Sequence, residues 1–239
     1  MPSIVFDYGQ GFSLDVAPLG FVRYAQPVEL QASRDGVDIN PLQPFPFDLH
    51  GPRNVAQRIA DTFRESGQRL AWTDMIRSAG RTFIIQLKGL EHSLERAVTE
   101  FLLWNLIGFI ESLGPGPMRC FVVLDEPHKL SLDRGSPAEK LLREGRKFGL
   151  GLMLASQQPE DFSPVAFATT ATKVVFQVGD ERSTVSRQLH RKVKNAHSLS
   201  DIYEIVTKLP RGWAYVVTEN IGHVVEILSL EERVARWNQ

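Results

Sequence analysis

Apolar residues along this chain fall into two kinds of run. Short unbroken runs occur at Ile4–Phe6, Thr82–Leu87, 119–124, Leu150–Ala155 and Thr172–Val178. Runs of that length, bounded by Gly, Pro or acidic residues, predict buried strands. Between them the apolar spacing turns helical. Asn54 caps a segment reaching about Glu65, with Val55, Ile59 and Phe63 on one face. A weaker helix is expected over Trp72–Ala79. Leu90–Leu113 carries Leu94, Val98, Phe101, Leu102, Leu106 and Ile110 on one side and stops at Gly114-Pro115-Gly116-Pro117. Ser136 caps a helix ending near Gly149, and further helices are expected near 181–190 and 199–208. Residues 12–40 alternate polar and apolar between Pro and Gly breaks, which predicts antiparallel strands on a sheet edge. Pro41, Pro44, Pro46 and Pro52 make the next stretch an extended connection. Trp213–Val217 and Val224–Leu228, joined by 219–222, read as a hairpin. Alternating strands and helices predict an α/β fold, a mostly parallel sheet flanked by helices with antiparallel edge strands.

Composition narrows the class without naming a chemistry. A chain of 239 residues suits one large α/β domain, and 43% hydrophobic with 23% charged residues is ordinary for a globular protein. Its organisation reads as edge strands and connection over 12–53, a helical part with one strand over 54–113, and the remainder from 118 to 239. The net charge of -1 carries no global field for a polyanion, so any nucleic-acid surface must be local. One cysteine, Cys120, lies in a strand and has no internal partner, which fits a reducing, cytoplasmic setting. The N-terminus lacks signal-peptide character, and Phe101–Ile110 is too short to span a bilayer, so no membrane role is expected.

The strand before residue 125 ends in Leu124-Asp125-Glu126-Pro127. Parallel strands deliver ligand-facing groups at their carboxyl ends, and paired acids there suit a water-bound Mg²⁺ and an attacking water. On its own the dipeptide is equally an acidic turn. His128 is a lone histidine, with no Cys, His or Asp at metal-ligand spacing around it. Ser156 has no base at a recognisable spacing, so a hydrolase triad is unsupported.

Three features follow one another: VVLDEPHKL, then LLREGRKFGLGLMLASQQP, then TKVVFQV. Together they resemble the HerA/FtsK superfamily of RecA-like P-loop ATPases, hexameric DNA-pumping motors. The resemblance implies ATP and Mg²⁺ as ligands. Asp125 would be the acid acting on Mg²⁺ through water, and Glu126 the acid that polarises the attacking water. Gln157 would sense the γ-phosphate. Arg146 would be the arginine finger inserted into a neighbouring subunit, with Arg143 the fallback and Lys147 a weaker one. Without the resemblance, these cations are a solvated helix end. Arg187, Arg191, Lys192 and Lys194 form a short basic run that a pore-facing loop could use on DNA phosphates. Arg53, Arg58, Arg64 and Arg69 form another.

One part of the pattern is missing. No G-x-x-x-x-G-K-[ST] occurs, and Gly9-x-Gly11 lacks the lysine. The first P-loop strand and helix are therefore absent, and IVFDYGQGF matches the strand that follows them. The 239 residues alone are expected to bind ATP poorly. DYGQGF, INPLQPF, RTFIIQLKGL and EGRKFG further resemble the C-terminal ATPase region of DptH-type phosphorothioation-dependent restriction proteins. That resemblance implies defence against foreign DNA, with other restriction-system proteins as partners. Two alternatives remain: a non-catalytic assembly scaffold on a degenerate ATPase fold, and a conjugative secretion motor.

Overall fold

The most completely buried strand takes the centre of the sheet. In the computed structural model, β1 (Ser3–Asp7) lies between β5 (Thr82–Gln86) and β6 (Cys120–Asp125), parallel to both. Ile4, Val5 and Phe6 are all buried, as an unbroken apolar run on a two-sided sheet requires. β2 (Val22–Ala25) flanks β5 and β7 (Leu150–Ala155) flanks β6, giving the parallel order β2-β5-β1-β6-β7. The structure describes residues 1–8, 22–25, 33–34, 37–38, 71–87, 90, 92–179, 184–193 and 197–237. The helix expected over 54–65, the Gly9–Gly11 turn, most of 12–53 and Lys194 lie outside them.

The chain forms two compact units, Met1–Ala166 and Phe167–Gln239. In the first, α1 (Trp72–Arg77) precedes β5, and the long α2 (His92–Ser112) precedes β6. Phe101, Leu102, Leu106 and Ile110 of α2 share a core with Ile4, Phe6, Phe83, Ile85, Val122 and Leu124. The opposite face of the last two strands is barer. Phe121 is 38% and Met153 55% exposed, and among the described residues β7 pairs only with β6.

Arg119 and Gly149 make the junction before these strands. The Arg119 guanidinium donates to the Gly114 carbonyl at 2.8 Å and the Phe148 carbonyl at 2.6 Å. It thereby caps two chain ends whose carbonyls have no helical partner. α3 (Pro137–Glu144), capped by the Ser136 hydroxyl, runs into a 3-10 turn over Gly145–Phe148. Gly149 then takes φ +79°, and a Cβ there would lie 2.0 Å from the Pro117 carbonyl oxygen.

The second unit pairs β8 (Thr172–Val175), β9 (Trp213–Thr218) and β10 (Ile221–Glu226) antiparallel, in the order β10-β9-β8. Val185 and Leu189 of α5 (Thr184–His190) and Ile202 and Val206 of α6 (Leu199–Lys208) form its core with Tyr215 and Val217.

Several expectations are corrected. Val22–Ala25 is a parallel partner of Thr82–Gln86, and among the described residues of that region only the two-residue strands β3 (Ser33–Arg34) and β4 (Val37–Asp38) pair antiparallel. A parallel partner comes from far along the chain, which local alternation does not report. The last hairpin turns at Glu219 and Asn220, φ 48° and 73°, so β10 begins three residues earlier than expected. Both positive angles mark a two-residue turn, and Gly222 sits inside the strand beneath the Tyr215 hydroxyl. The strand from Thr172 stops at Val175, short of Val178. Two short helices, α4 (Pro164–Thr169) and α7 (Leu230–Trp237), were not foreseen.

Candidate functional site

Parallel pairing puts the carboxyl ends of β1, β6 and β7 on one side. Phe6 is opposite Leu124, and Asp125 is opposite Ala155, so Asp7 and Asp125 end adjacent strands. Asp7 is buried and Asp125 half-buried. Burial first, then the charges of Glu126 and Asp7, hold the Asp125 carboxyl above its ordinary value. The Glu126 amide and Lys129 oppose that rise.

Glu126 leaves the strand with φ 53° and ψ 62°, a left-handed conformation costing a non-glycine residue on the order of 1–3 kcal/mol. Its amide still donates to the Ala155 carbonyl at 2.8 Å, so the β6–β7 ladder reaches one residue past the strand. Its carboxylate pairs with Lys129 Nζ at 3.1 Å, and that ammonium lies 5.1 Å from the Tyr8 ring centroid. Pro127–Lys129 form a 3-10 turn that fixes this geometry.

Gln157 is exposed, two residues past Ala155, which ends β7 opposite Asp125. Its loop is built tightly. The Ser156 hydroxyl donates to the Asp161 carboxylate, and the Gln158 amide donates to Ser156 Oγ at 3.1 Å. His128 Nδ1 lies 3.2 Å from the same Asp161 oxygen.

The donors at this edge are hard carboxylate oxygens, the type Mg²⁺ prefers. Among the described residues no three Asp, Glu, His or Cys side chains converge closely enough to hold a metal unaided.

Arg146 and Arg143 are at the other end. Arg146 is exposed in the turn before β7, and six strand residues at about 3.3 Å each separate it from the acid edge by roughly 20 Å. It forms no ion pair with any described residue. Arg143 pairs with the buried carboxylate of Glu139, while Lys147 lies over the Phe148 ring at 5.2 Å. In the second unit, Arg187 and Arg191 are exposed, whereas Lys192 donates to the Ala168 carbonyl at 2.9 Å. Sequence reasoning missed Asp7, Lys129 and Asp161. The signal for Asp7 was present, since Val5-Phe6-Asp7 repeats the pattern of Val123-Leu124-Asp125.

No family model matches the chain. Over 58 residues, 24% of its length, it is 40% identical to the probable DNA double-strand break repair helicase HerA of Methanocaldococcus jannaschii. That stretch spans only 11% of the helicase. VirB4 of Thermoanaerobacter pseudethanolicus superposes over 97% of this chain and 83% of its own, with TM-score 0.57 and 13% identity. The chain shares VirB4's fold. The genome packaging NTPase B204 of Sulfolobus turreted icosahedral virus 2, solved with AMPPCP, aligns over 96% of this chain and 84% of its own, with TM-score 0.49 and 13% identity. No helix among the described residues is long and apolar enough to cross a membrane.

Proposed function

We propose that this chain is the C-terminal portion of a HerA/FtsK-type P-loop ATPase that moves or remodels DNA. The observation carrying the reading is the acid pair Asp125–Glu126 at a central strand tip, with the Gln157 loop on the next strand. The local identity to HerA and the fold held in common with VirB4 support it.

ATP would sit outside the carboxyl ends of β6 and β7. Glu126 would take the proton of the attacking water, and Gln157 would donate its side-chain amide to the γ-phosphate. Asp125 would hold the Mg²⁺ hydration shell, and the ion would supply charge neutralisation at the phosphates. Arg146, far from its own chain's acid edge and exposed, is available to a neighbouring subunit of a ring. There it would stabilise the transferring phosphoryl group, worth roughly 10³–10⁵ in rate. The resemblance to DptH-type proteins makes defence against foreign DNA the proposed setting, in the cytoplasm and beside other restriction-system proteins. Arg187, Arg191 and Lys192 are the proposed phosphate contacts.

The amide cradle for the phosphates would come from a Gly-rich Lys-Ser/Thr loop preceding these residues in the full protein. Among the described residues β7 pairs only with β6, and Phe121 and Met153 are exposed beside that edge, which supports a further strand and helix packing there. A non-catalytic scaffold on a degenerate ATPase fold is the second reading. Phosphate release from ATP by the full protein, with and without double-stranded DNA, separates the two. The ATPase reading expects DNA-stimulated turnover that Asp125→Ala removes; turnover unaffected by Asp125→Ala contradicts it.

A further inference from the structure

Two candidate site residues, Glu126 and Gln157, stand on different loops, and one carboxylate touches both loops. We propose that Asp161 is a positioning residue that locks the Gln157 loop to the turn behind Glu126. Its consequence for catalysis rests on the ATPase reading above; the mechanical coupling does not.

Asp161 ends a 3-10 turn, Pro159–Asp161, and its side chain is 16% exposed. One oxygen, Oδ2, accepts the Ser156 hydroxyl and faces His128 Nδ1 at 3.2 Å. Ser156 Oγ in turn accepts the Gln158 amide at 3.1 Å, and the Asp161 amide donates to the Gln158 carbonyl at 3.2 Å. Gln157 therefore sits between two residues that are both fastened to Asp161. On the other side, His128 belongs to a turn closed by the Lys129 amide on the Glu126 carbonyl and the Leu130 amide on the Pro127 carbonyl, both 3.0 Å. That turn cannot swing without moving Glu126.

Serine, aspartate and histidine in contact suggest a nucleophilic triad, but the connectivity excludes one. The carboxylate lies between the hydroxyl and the imidazole, so the imidazole does not contact the hydroxyl and Ser156 has no base. A carboxylate that accepts from one loop and lies 3.2 Å from an imidazole on the other is instead a clamp. Holding reacting groups at fixed separation is itself a large part of catalysis, and small misplacements are expensive. Losing the clamp should therefore lower turnover while leaving nucleotide affinity intact.

Hydrogen exchange read by mass spectrometry on the 239-residue chain tests the coupling. Asp161→Ala is expected to speed exchange about tenfold or more in peptides covering both 126–130 and 156–161, with β1 and β5 unchanged. His128→Ala should loosen 156–161, a segment its imidazole meets at Asp161, and adding it to Asp161→Ala should bring no further change. Wild-type exchange at 156–161 in His128→Ala overturns the proposal, and that variant decides the matter even if Asp161→Ala fails to fold. In the ATP-hydrolysing protein, Asp161→Ala should lower kcat about tenfold with KM within about twofold. A rise in KM at unchanged kcat overturns the positioning role. Wild-type turnover in Glu126→Gln instead overturns the ATPase reading, while the exchange result stands separately.

Discussion

Asp125 is held where its charge is unfavourable, half-buried and beside two other carboxylates. Its raised folded-state value makes the protonated form the stabilising one. That contribution is present below the ordinary value of 3.8 and is lost as pH rises through the folded-state value. At neutral pH the ionised group therefore costs stability. Asp125→Asn should raise the melting temperature at pH 7, and the difference should shrink toward zero as pH falls below 3.8; an equal difference at both pH values contradicts this. Cys120, fully buried in β6, has its thiol pushed up to about 12 by burial. It should resist a disulfide-exchange reagent in the folded protein and react only in denaturant. Asp125, Glu126 and Gln157 were legible in the sequence because strand ends announce themselves by an abrupt change from apolar to polar. Asp161 was not legible, since its role exists only once two loops meet. Lys129 was missed for a related reason: its partner is set by the left-handed backbone at Glu126, which no local pattern reports.

At the scale of elements, the turn into β7 is a tightly constrained junction. Gly149 combines positive φ with a backbone carbonyl where a Cβ would stand. Gly149→Ala should cost at least about 3 kcal/mol, combining left-handed strain with displacement of the Pro117 segment. Chemical denaturation measures it, and a cost under about 1 kcal/mol would mean the junction is not the stop described. Long elements were legible: the 92–112 helix is a long apolar stretch, buried all round its middle at 101–107, and the inner strands are unbroken apolar runs. Short ones were not. Pro164–Thr169 has barely a turn and a half of pattern, and half of Leu230–Trp237 is charged, its start marked by Ser229 and Glu232, each accepting the other's amide.

At the scale of the molecule, the acid edge and Arg146 lie at opposite ends of β7, so neither can complete the other's site within one copy. An Arg146→Ala subunit should regain activity when mixed with subunits carrying Glu126→Gln, because each supplies what the other lacks. Mixtures no more active than either parent would move the finger elsewhere. The 239 residues alone should bind ATP weakly, for want of a phosphate cradle; a micromolar Kd would contradict that. The direct measurement for the whole account is phosphate release and equilibrium nucleotide binding, side by side, on the full protein and its Glu126→Gln variant. The account predicts hydrolysis reduced by roughly 10²–10⁴ with nucleotide affinity retained. Loss of both together, or of neither, would contradict it.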